Sequence, residues 1–290
     1  MHFQWTAPDG AAFPCERWLP RGMALGNLVC VHGLSGAATD FEPVGETVSR
    51  AGLACFALSL RGQGNDPDAH RRGASLDLEA ISSDIAAFTE TMCASHSATP
   101  LWVCGESMGA LILAWMLAYR RLGQPVRGAI FSAPVVALKR SLPRAVRGLV
   151  KTFATALPRL RFYPSWFVSG KLEPLQVTRD KEHALRIHSA PYYIRAFAFR
   201  FLHQLGELIE SSDALAERIA TPCLVLSGGQ DVFVEPVQVR RWFERLRSED
   251  KTLKIYPEAF HLLWNDLDRN AVLADVAHWL SAHRPVRLNT

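Results

Sequence analysis

The segment Gly105-Glu106-Ser107-Met108-Gly109 constrains the fold of this chain more than any other short stretch. It follows LWVC, an apolar run typical of a strand, and precedes ALILAWMLAY, an apolar run typical of a buried helix. A serine at such a strand-to-helix turn has a strained backbone, and its neighbours must be small so that strand and helix can pass closely. Gly105 and Gly109 meet that need. The pattern predicts a nucleophile elbow with Ser107 at its tip.

Short apolar runs alternate with amphipathic segments along most of the chain. The strand candidates are PCERWLP, NLVCVHG, LACFALSLRG, LWVCGES, RGAIFSAP, PCLVLSGG and TLKIYP. From the second run onward they are nearly continuous in apolar residues, as expected for parallel strands covered on both faces. Apolar residues at helical spacing predict helices over residues 41–51, 77–94, 237–246 and 270–282. The alternation predicts an α/β fold with a mainly parallel, doubly wound sheet.

One connection between strands is far longer than a normal crossover. Roughly eighty residues separate RGAIFSAP from PCLVLSGG, whereas most connections in compact domains are much shorter. The stretch is basic and helical in pattern, with interruptions at Pro143, Pro158, Pro164, Pro174 and Pro191. We therefore predict a helical cap at residues 135–213, inserted into a core formed by residues 1–134 and 214–290.

A serine hydroxyl is a poor nucleophile at neutral pH unless a base takes its proton and a carboxylate orients that base. With an elbow of this kind the chain order is serine, acid, histidine. His261 follows the last strand run in a loop, whereas His278 and His283 fall on or after the last predicted helix. Asp231 follows the strand CLVL in a glycine-rich turn. The sequence predicts Ser107 as nucleophile, Asp231 as acid and His261 as base.

Other carboxylates fit that order less well. Asp266 and Asp268 come after His261, and Asp66 comes before the elbow. For Asp231 itself the alternative is a turn-forming role, because aspartate is favoured in turns.

Acyl transfer also needs two backbone N–H groups that donate hydrogen bonds to the negatively charged carbonyl oxygen of the tetrahedral intermediate. One is expected from Met108, the residue after the nucleophile, and the other from the loop His32-Gly33-Leu34-Ser35-Gly36. Leu34 is the candidate for the second donor. We interpret His32 as a residue that shapes this loop by hydrogen bonding and does no acid–base chemistry.

Bulk properties exclude several classes of function. The net charge of +4 is mild, and no basic block is interleaved with aromatic residues, so nucleic-acid binding is not expected. Cys30, Cys55, Cys104 and Cys223 lie in buried strand runs, and no Cys/His group has the spacing of metal ligands. We expect reduced core cysteines, no metal and no cofactor.

The N-terminus has no charged leader followed by an apolar segment and a cleavage site, which predicts a cytoplasmic protein. The longest apolar stretch, residues 110–119, is about half the length needed to span a bilayer.

Together these segments resemble the monoacylglycerol lipase and lysophospholipase branch of the α/β hydrolases over most of the chain. The matching segments are VHGLSG, LRGQGND, GESMG, SGGQD and DKTLKIYPEAFHLLWNDL. The resemblance implies an α/β-hydrolase fold whose cap lines an acyl-binding pocket and often touches membranes. The sequence departs from relatives at residues 189–191, where Ser-Ala-Pro replaces a common Asp-Pro, and at Glu106 and Ala110, where His and Gly are common.

Residues 138–166 alternate basic and bulky apolar side chains without an acidic residue. Such a surface suits the interface of an anionic bilayer or micelle, although a solvated basic face over an ordinary core is the alternative. The candidates for contact with a lipid-like substrate are Leu149, Phe153, Phe162 and Trp166.

The predicted activity is hydrolysis of a carboxylic ester of a hydrophobic substrate through an acyl-enzyme on Ser107, with monoacylglycerol and lysophospholipid as the first candidates. Thioester cleavage, acyl transfer and amide cleavage use the same three side chains and remain open. A hydrolase scaffold that only binds a ligand is a further alternative, because the presence of all three residues does not prove their geometry. The sequence does not determine an oligomeric state.

Overall fold

The computed structural model describes residues 1–94, 100–140, 142–162 and 176–284. Its strands are β1 (His2–Thr6), β2 (Ala12–Trp18), β3 (Asn27–Val31), β4 (Ala54–Leu58), β5 (Leu101–Glu106), β6 (Val126–Ser132), β7 (Arg161–Phe162), β8 (Phe197–Ala198), β9 (Cys223–Gly228) and β10 (Lys251–Tyr256). Eight of them form one sheet in the order β1-β2-β4-β3-β5-β6-β9-β10. The other two, β7 and β8, form a small antiparallel pair.

The helices are α1 (Glu42–Arg50), α2 (Leu78–Cys93), α3 (Met108–Ala118), α4 (Arg144–Ala156), α5 (Lys181–Ser189), α6 (Phe199–Glu210), α7 (Ser212–Ala216), α8 (Pro236–Arg245) and α9 (Arg269–Ala282). Short 3-10 helices cover Ala38–Phe41 and Leu263–Asn265. The four predicted amphipathic helices are α1, α2, α8 and α9, with ends that differ by one residue or less. Periodicity therefore located these elements correctly.

The sheet is parallel from β4 through β10 and antiparallel only at its N-terminal edge, where β1 pairs with β2 and β2 pairs with β4. The predicted mainly parallel sheet is confirmed. Strand β1 was missed, because HFQWT is short and only Trp5 within it is buried. The predicted strand PCERWLP forms β2 with its start shifted to Ala12.

Helices cover both faces of the sheet, as the continuous apolar strands require. One core cluster joins the sheet to α2, α3 and α8 through Ile85, Leu111 and Trp242. The other joins it to α1 and α9 through Val48 and Val276. The doubly wound arrangement is confirmed, and it brings the carboxyl ends of the parallel strands to one edge, where such folds bind their ligands.

Between β6 and β9 the chain forms α4 to α7 and the β7–β8 pair. Helix α4 packs on α6, where the Phe153 and Phe199 rings stack with centroids 5.0 Å apart. Helix α7 instead packs on α3 and α8, and Ser212 O accepts a hydrogen bond from Trp242 Nε1 (3.0 Å). The boundaries of the cap at residues 135 and 213 remain a prediction. In the described ranges, no helix is long and apolar enough to cross a bilayer.

Candidate active site

Ser107 lies at the strained turn between β5 and α3, with φ 55° and ψ −118°. A side chain on Gly109 would place its Cβ 2.1 Å from the carbonyl oxygen of Val31, and one on Gly105 would meet the Ala110 backbone at 2.7 Å. Both glycines are therefore needed for the close approach of α3 to the sheet. The Ser107 N–H donates to Ser132 O (2.8 Å), which holds the turn against β6.

The structure brings Ser107, His261 and Asp231 into one hydrogen-bonded chain. The distance from Ser107 Oγ to His261 Nε2 is 2.8 Å, and His261 Nδ1 lies 2.7 Å from Asp231 Oδ2. The other carboxylate oxygen, Oδ1, accepts the backbone N–H groups of Phe233 (2.8 Å) and Val234 (3.3 Å). With Asp231 ionised, Nδ1–H donates to the carboxylate and Nε2 is free to accept the serine proton.

The turn that carries Asp231 packs backbone to backbone on the loop that carries His261. Gly229 N–H donates to Tyr256 O (2.7 Å), and Gln230 N–H donates to Ala259 O (3.0 Å). A Cβ on Gly228 would lie 2.1 Å from Phe260 O, so no larger residue fits there. These contacts hold the turn of Asp231 and the loop of His261 together within the sheet core.

The two predicted oxyanion donors belong to segments next to Ser107: Met108 follows it in the chain, and Leu34 lies in the loop after β3. The loop after β3 passes so close that a Cβ on Gly33 would lie 3.0 Å from Ser107 Cβ. In the described residues, neither Leu34 N–H nor Met108 N–H has a hydrogen-bond acceptor. Ser35 N–H donates to the buried Gln63 Oε1 (3.1 Å), which anchors the loop beside Leu34. The role of the Leu34 and Met108 N–H groups as oxyanion donors remains a prediction that this arrangement supports.

His32 is fully buried beneath this loop. Its Nδ1 lies 2.8 Å from Gly33 O, and its Nε2 accepts the backbone N–H of Leu60 (2.9 Å). Burial lowers the pKa of His32 to about 4, so the ring is neutral at physiological pH. These contacts fit the interpretation of His32 as a residue that shapes the loop.

A carboxyl group lies buried directly before Ser107. Glu106 is 2% exposed, and its Oε1 has no hydrogen-bond partner. Burial, with a smaller contribution from the charge of Asp40, raises the pKa of Glu106 well above its usual value. Burial also raises the pKa of Asp40 to about 6, although that side chain accepts hydrogen bonds from Ala37 N–H (2.8 Å) and the Tyr192 hydroxyl (3.4 Å).

Glu106→Gln is expected to gain stability relative to the wild type as the pH rises. The raised pKa means that above the unfolded pKa of 4.5 the folded state binds more protons at this site, so wild-type stability falls with pH until the folded pKa is passed. Glutamine removes that loss. Urea unfolding at pH 4 and pH 8 measures the difference, with the exposed Glu249→Gln as control. If the difference in unfolding free energy between Glu106→Gln and the wild type were the same at pH 4 and pH 8, the raised pKa of Glu106 would be contradicted.

The cap candidates occupy different environments. Leu149 is 55% exposed on α4. Phe153 and Phe162 both pack on Phe199, with ring centroids 5.0 and 6.0 Å away. Trp166 lies outside the described residues. Contact of these side chains with a substrate remains a prediction.

Contacts between the predicted cap and the His261 loop were not anticipated from the sequence. Val177 O accepts the backbone N–H groups of His261 and Leu262, both at 3.0 Å. Asp266, which sequence reasoning considered only as a competing acid, bonds Arg179 Nε at 2.6 Å. No local pattern signals such pairings between segments so far apart in the chain.

All six cysteines are free and buried, as predicted for the four in strand runs. The described part of the chain contains no group of three or more His, Cys, Asp or Glu side chains able to hold a metal ion.

The strand order, the elbow and the Ser–His–Asp hydrogen-bond chain define an α/β hydrolase of the serine type. The family model described as "Serine aminopeptidase, S33" matches residues 23–268, so the chain belongs to that family.

Three proteins illustrate the similarity. The monoacylglycerol lipase of Mycolicibacterium smegmatis is 26% identical over 279 residues, covering 94% of each chain. A phospholipase of Bacillus subtilis is 24% identical over 247 residues, covering 84% of this chain and 91% of its own. A soluble variant of monoglyceride lipase from Saccharomyces cerevisiae, in complex with a substrate analog, superposes with a TM-score of 0.83 at 21% identity, covering 99% of this chain and 96% of its own. The chain thus matches nearly the full length of these proteins.

Proposed function

We propose that this serine hydrolase cleaves the carboxylic ester of a monoacylglycerol or lysophospholipid through an acyl-enzyme on Ser107. The observation that carries the proposal is the chain of hydrogen bonds from Ser107 Oγ through His261 to Asp231, at 2.8 and 2.7 Å, at a strained elbow. The three side chains are 8%, 3% and 1% exposed, so the chemistry takes place where electrostatic interactions are strong.

In the acylation half, Ser107 Oγ attacks the ester carbonyl carbon while His261 Nε2 takes the hydroxyl proton. Asp231 holds the tautomer and stabilises the imidazolium that forms. The carbonyl oxygen becomes an oxyanion, which the Leu34 and Met108 N–H groups bind; each such donor typically contributes roughly 3 to 4 kcal/mol. The carbon–oxygen bond to the alcohol then breaks, and His261 returns its proton to the alcohol oxygen.

In the deacylation half, water takes the place of the departed alcohol. His261 removes a proton from the water as its oxygen attacks the acyl carbon, and the same two N–H groups bind the second oxyanion. The bond to Ser107 Oγ breaks, the proton on His261 returns to that oxygen, and the fatty acid leaves. The enzyme is thereby restored.

The choice of lipid esters follows from the relatives and the cap together. The similar proteins include a monoacylglycerol lipase and a phospholipase. The cap places aromatic rings of Phe153, Phe162 and Phe199 in one cluster, which is suitable material for an apolar acyl site.

Labelling with a fluorophosphonate, followed by mass spectrometry of the adduct, tests the proposal. We expect the adduct on Ser107 and turnover of monoacylglycerol, lysophosphatidylcholine or both. A parallel panel contains p-nitrophenyl esters, an acyl thioester and an aminoacyl p-nitroanilide. Preferred turnover of the thioester or anilide would replace the ester proposal, and absence of both labelling and turnover in the presence of lipid would favour a ligand-binding scaffold.

We also infer that the outer face of α4 contacts anionic lipid. Arg144, Arg147 and Lys151 are exposed along this helix beside the exposed Leu149, and Arg147 also pairs with Glu210 of α6 at 2.5 Å. A cationic face with apolar residues at its edge suits an interfacial helix.

Replacing Arg144, Arg147 and Lys151 together by glutamine should weaken binding to anionic vesicles roughly 100-fold, since each basic residue near such a surface contributes about 1 kcal/mol. Co-sedimentation with vesicles containing phosphatidylglycerol measures the effect. The matched control replaces three exposed arginines of α8, Arg240, Arg241 and Arg245. Equal binding by the two triple variants and the wild type would rule out docking through α4.

A further inference from the structure

We propose that Arg179 and Asp266 are positioning residues. They hold the loop that carries the catalytic base, His261, at hydrogen-bonding distance from Ser107. The proposal rests on the proposed function, because it assigns a part of the chain outside the Ser–His–Asp set to the same reaction. Through these residues, the segment that leads into α5 and the loop that carries His261 form one unit.

Asp266 is completely buried and its carboxylate accepts hydrogen bonds from both segments. Oδ1 accepts from Arg179 Nε and Leu267 N–H, each at 2.6 Å. Oδ2 accepts from Arg179 N–H (3.0 Å) and Phe260 N–H (3.2 Å). A buried carboxylate is tolerated only when it is paired and hydrogen-bonded in this way. Asp266 therefore joins the residue before His261 to Arg179.

A second set of bonds acts on the base itself. The backbone N–H of His261 and that of Leu262 share Val177 O, both at 3.0 Å. Next to it, Thr178 Oγ1 donates to Asn265 O (2.7 Å). The backbone of the catalytic base thus takes its hydrogen-bond acceptor from residues 177–179 and not from the core of the sheet.

The Arg179 side chain is the part of this unit that a substitution can remove cleanly. Its guanidinium also lies 2.8 Å from Asp268, and the neighbouring Asp180 pairs with Arg269 at 2.9 Å. Loss of the Arg179 side chain leaves Asp266 buried with one charged donor fewer, so the loop must rearrange or admit water. A displacement of about 1 Å in a reacting group can cost as much as 100-fold in rate.

The test compares Arg179→Ala, Arg179→Lys and Asp266→Asn with the wild type. In Asp266→Asn the amide N–H₂ faces backbone N–H donors. The substitution therefore removes hydrogen bonds and the negative charge while the volume of the side chain stays nearly the same. We expect kcat for a p-nitrophenyl ester to fall by about 10- to 100-fold in Arg179→Ala and Asp266→Asn, with a smaller fall in KM or none, and less loss in Arg179→Lys. Each maximal rate is divided by the concentration of sites titrated with the fluorophosphonate to give kcat, so that misfolded molecules do not contribute.

Arg245→Ala is the matched control, because Arg245 also contacts two carboxylates, Asp213 at 3.3 Å and Glu217 at 2.9 Å, away from the His261 loop. We expect its kcat per titrated site to equal that of the wild type. Wild-type kcat per site in all three test variants would overturn the positioning role while leaving the hydrolase intact. A wild type that neither labels nor turns over would overturn the proposed function and the positioning role with it.

Discussion

Replacing Ser107 by alanine is expected to lower kcat for ester hydrolysis by about a millionfold, as loss of the nucleophile does in comparable serine hydrolases. Among the described residues, Ser107 Oγ is the hydroxyl that hydrogen-bonds His261 Nε2, at 2.8 Å, and the strained backbone, with φ at 55°, presents this side chain. The variant should bind substrate with little change, since the pocket walls are untouched. Initial rates on a monoacylglycerol or p-nitrophenyl ester measure the loss.

Ser49→Ala provides the control, because Ser49 lies on α1 and its hydroxyl donates to Glu46 O (3.1 Å) within that helix. Its rate should equal that of the wild type. The Ser107 variant should also fail to react with the fluorophosphonate while retaining the wild-type unfolding midpoint. Substantial residual turnover in a folded Ser107→Ala protein would show that another group attacks the ester.

The sheet and the elbow were predictable because their signals are local. Parallel strands covered on both faces are nearly continuous in apolar residues, and the four predicted amphipathic helices show the spacing of a single apolar face. At the elbow, glycine is required at Gly105 and Gly109 by backbone atoms that a Cβ would strike at 2.7 and 2.1 Å. The sequence shows this requirement directly, as glycines two residues before and two residues after Ser107.

The members of the Ser–His–Asp set come from distant parts of the chain, yet their order could be predicted. Each follows a parallel strand, and all such strands end at the same edge of the sheet. Asp231 follows β9 and His261 follows β10, which pair side by side. The topology alone therefore brings the two loops together, and the glycines at 228 and 229 allow their backbones to meet.

The contacts of the His261 loop with residues 177–179 could not be predicted from the sequence, because they join segments far apart in the chain. Asp266 and Arg179 are 87 residues apart, and neither lies at a strand end that would place it. A buried carboxylate with four donors looks in sequence like any polar loop residue. Likewise, Glu106 is buried because of the packing around β5. An acidic residue before Ser107 in the sequence does not indicate that burial.

Asp231→Asn is expected to lower kcat by about ten-thousandfold while leaving the fold in place, because the loss lies in the histidine tautomer. As aspartate, Oδ2 accepts Nδ1–H of His261 at 2.7 Å, which leaves Nε2 unprotonated for Ser107. An asparagine amide at that position donates to Nδ1 instead, so the proton moves to Nε2, where it faces the serine hydroxyl. Oδ1 of asparagine still accepts the Phe233 N–H that shapes the turn, seen at 2.8 Å.

The matched control for this change is Asp250→Asn, since Asp250 also contacts a histidine, with its Oδ2 3.1 Å from Nε2 of His283. That pair lies at the far end of β10 and α9 from Ser107, so wild-type kcat is expected. Steady-state rates and thermal unfolding of both variants separate lost chemistry from lost structure. If Asp231→Asn kept more than about a tenth of wild-type kcat, far above the loss a wrong tautomer causes, then His261 would take its orientation from another group.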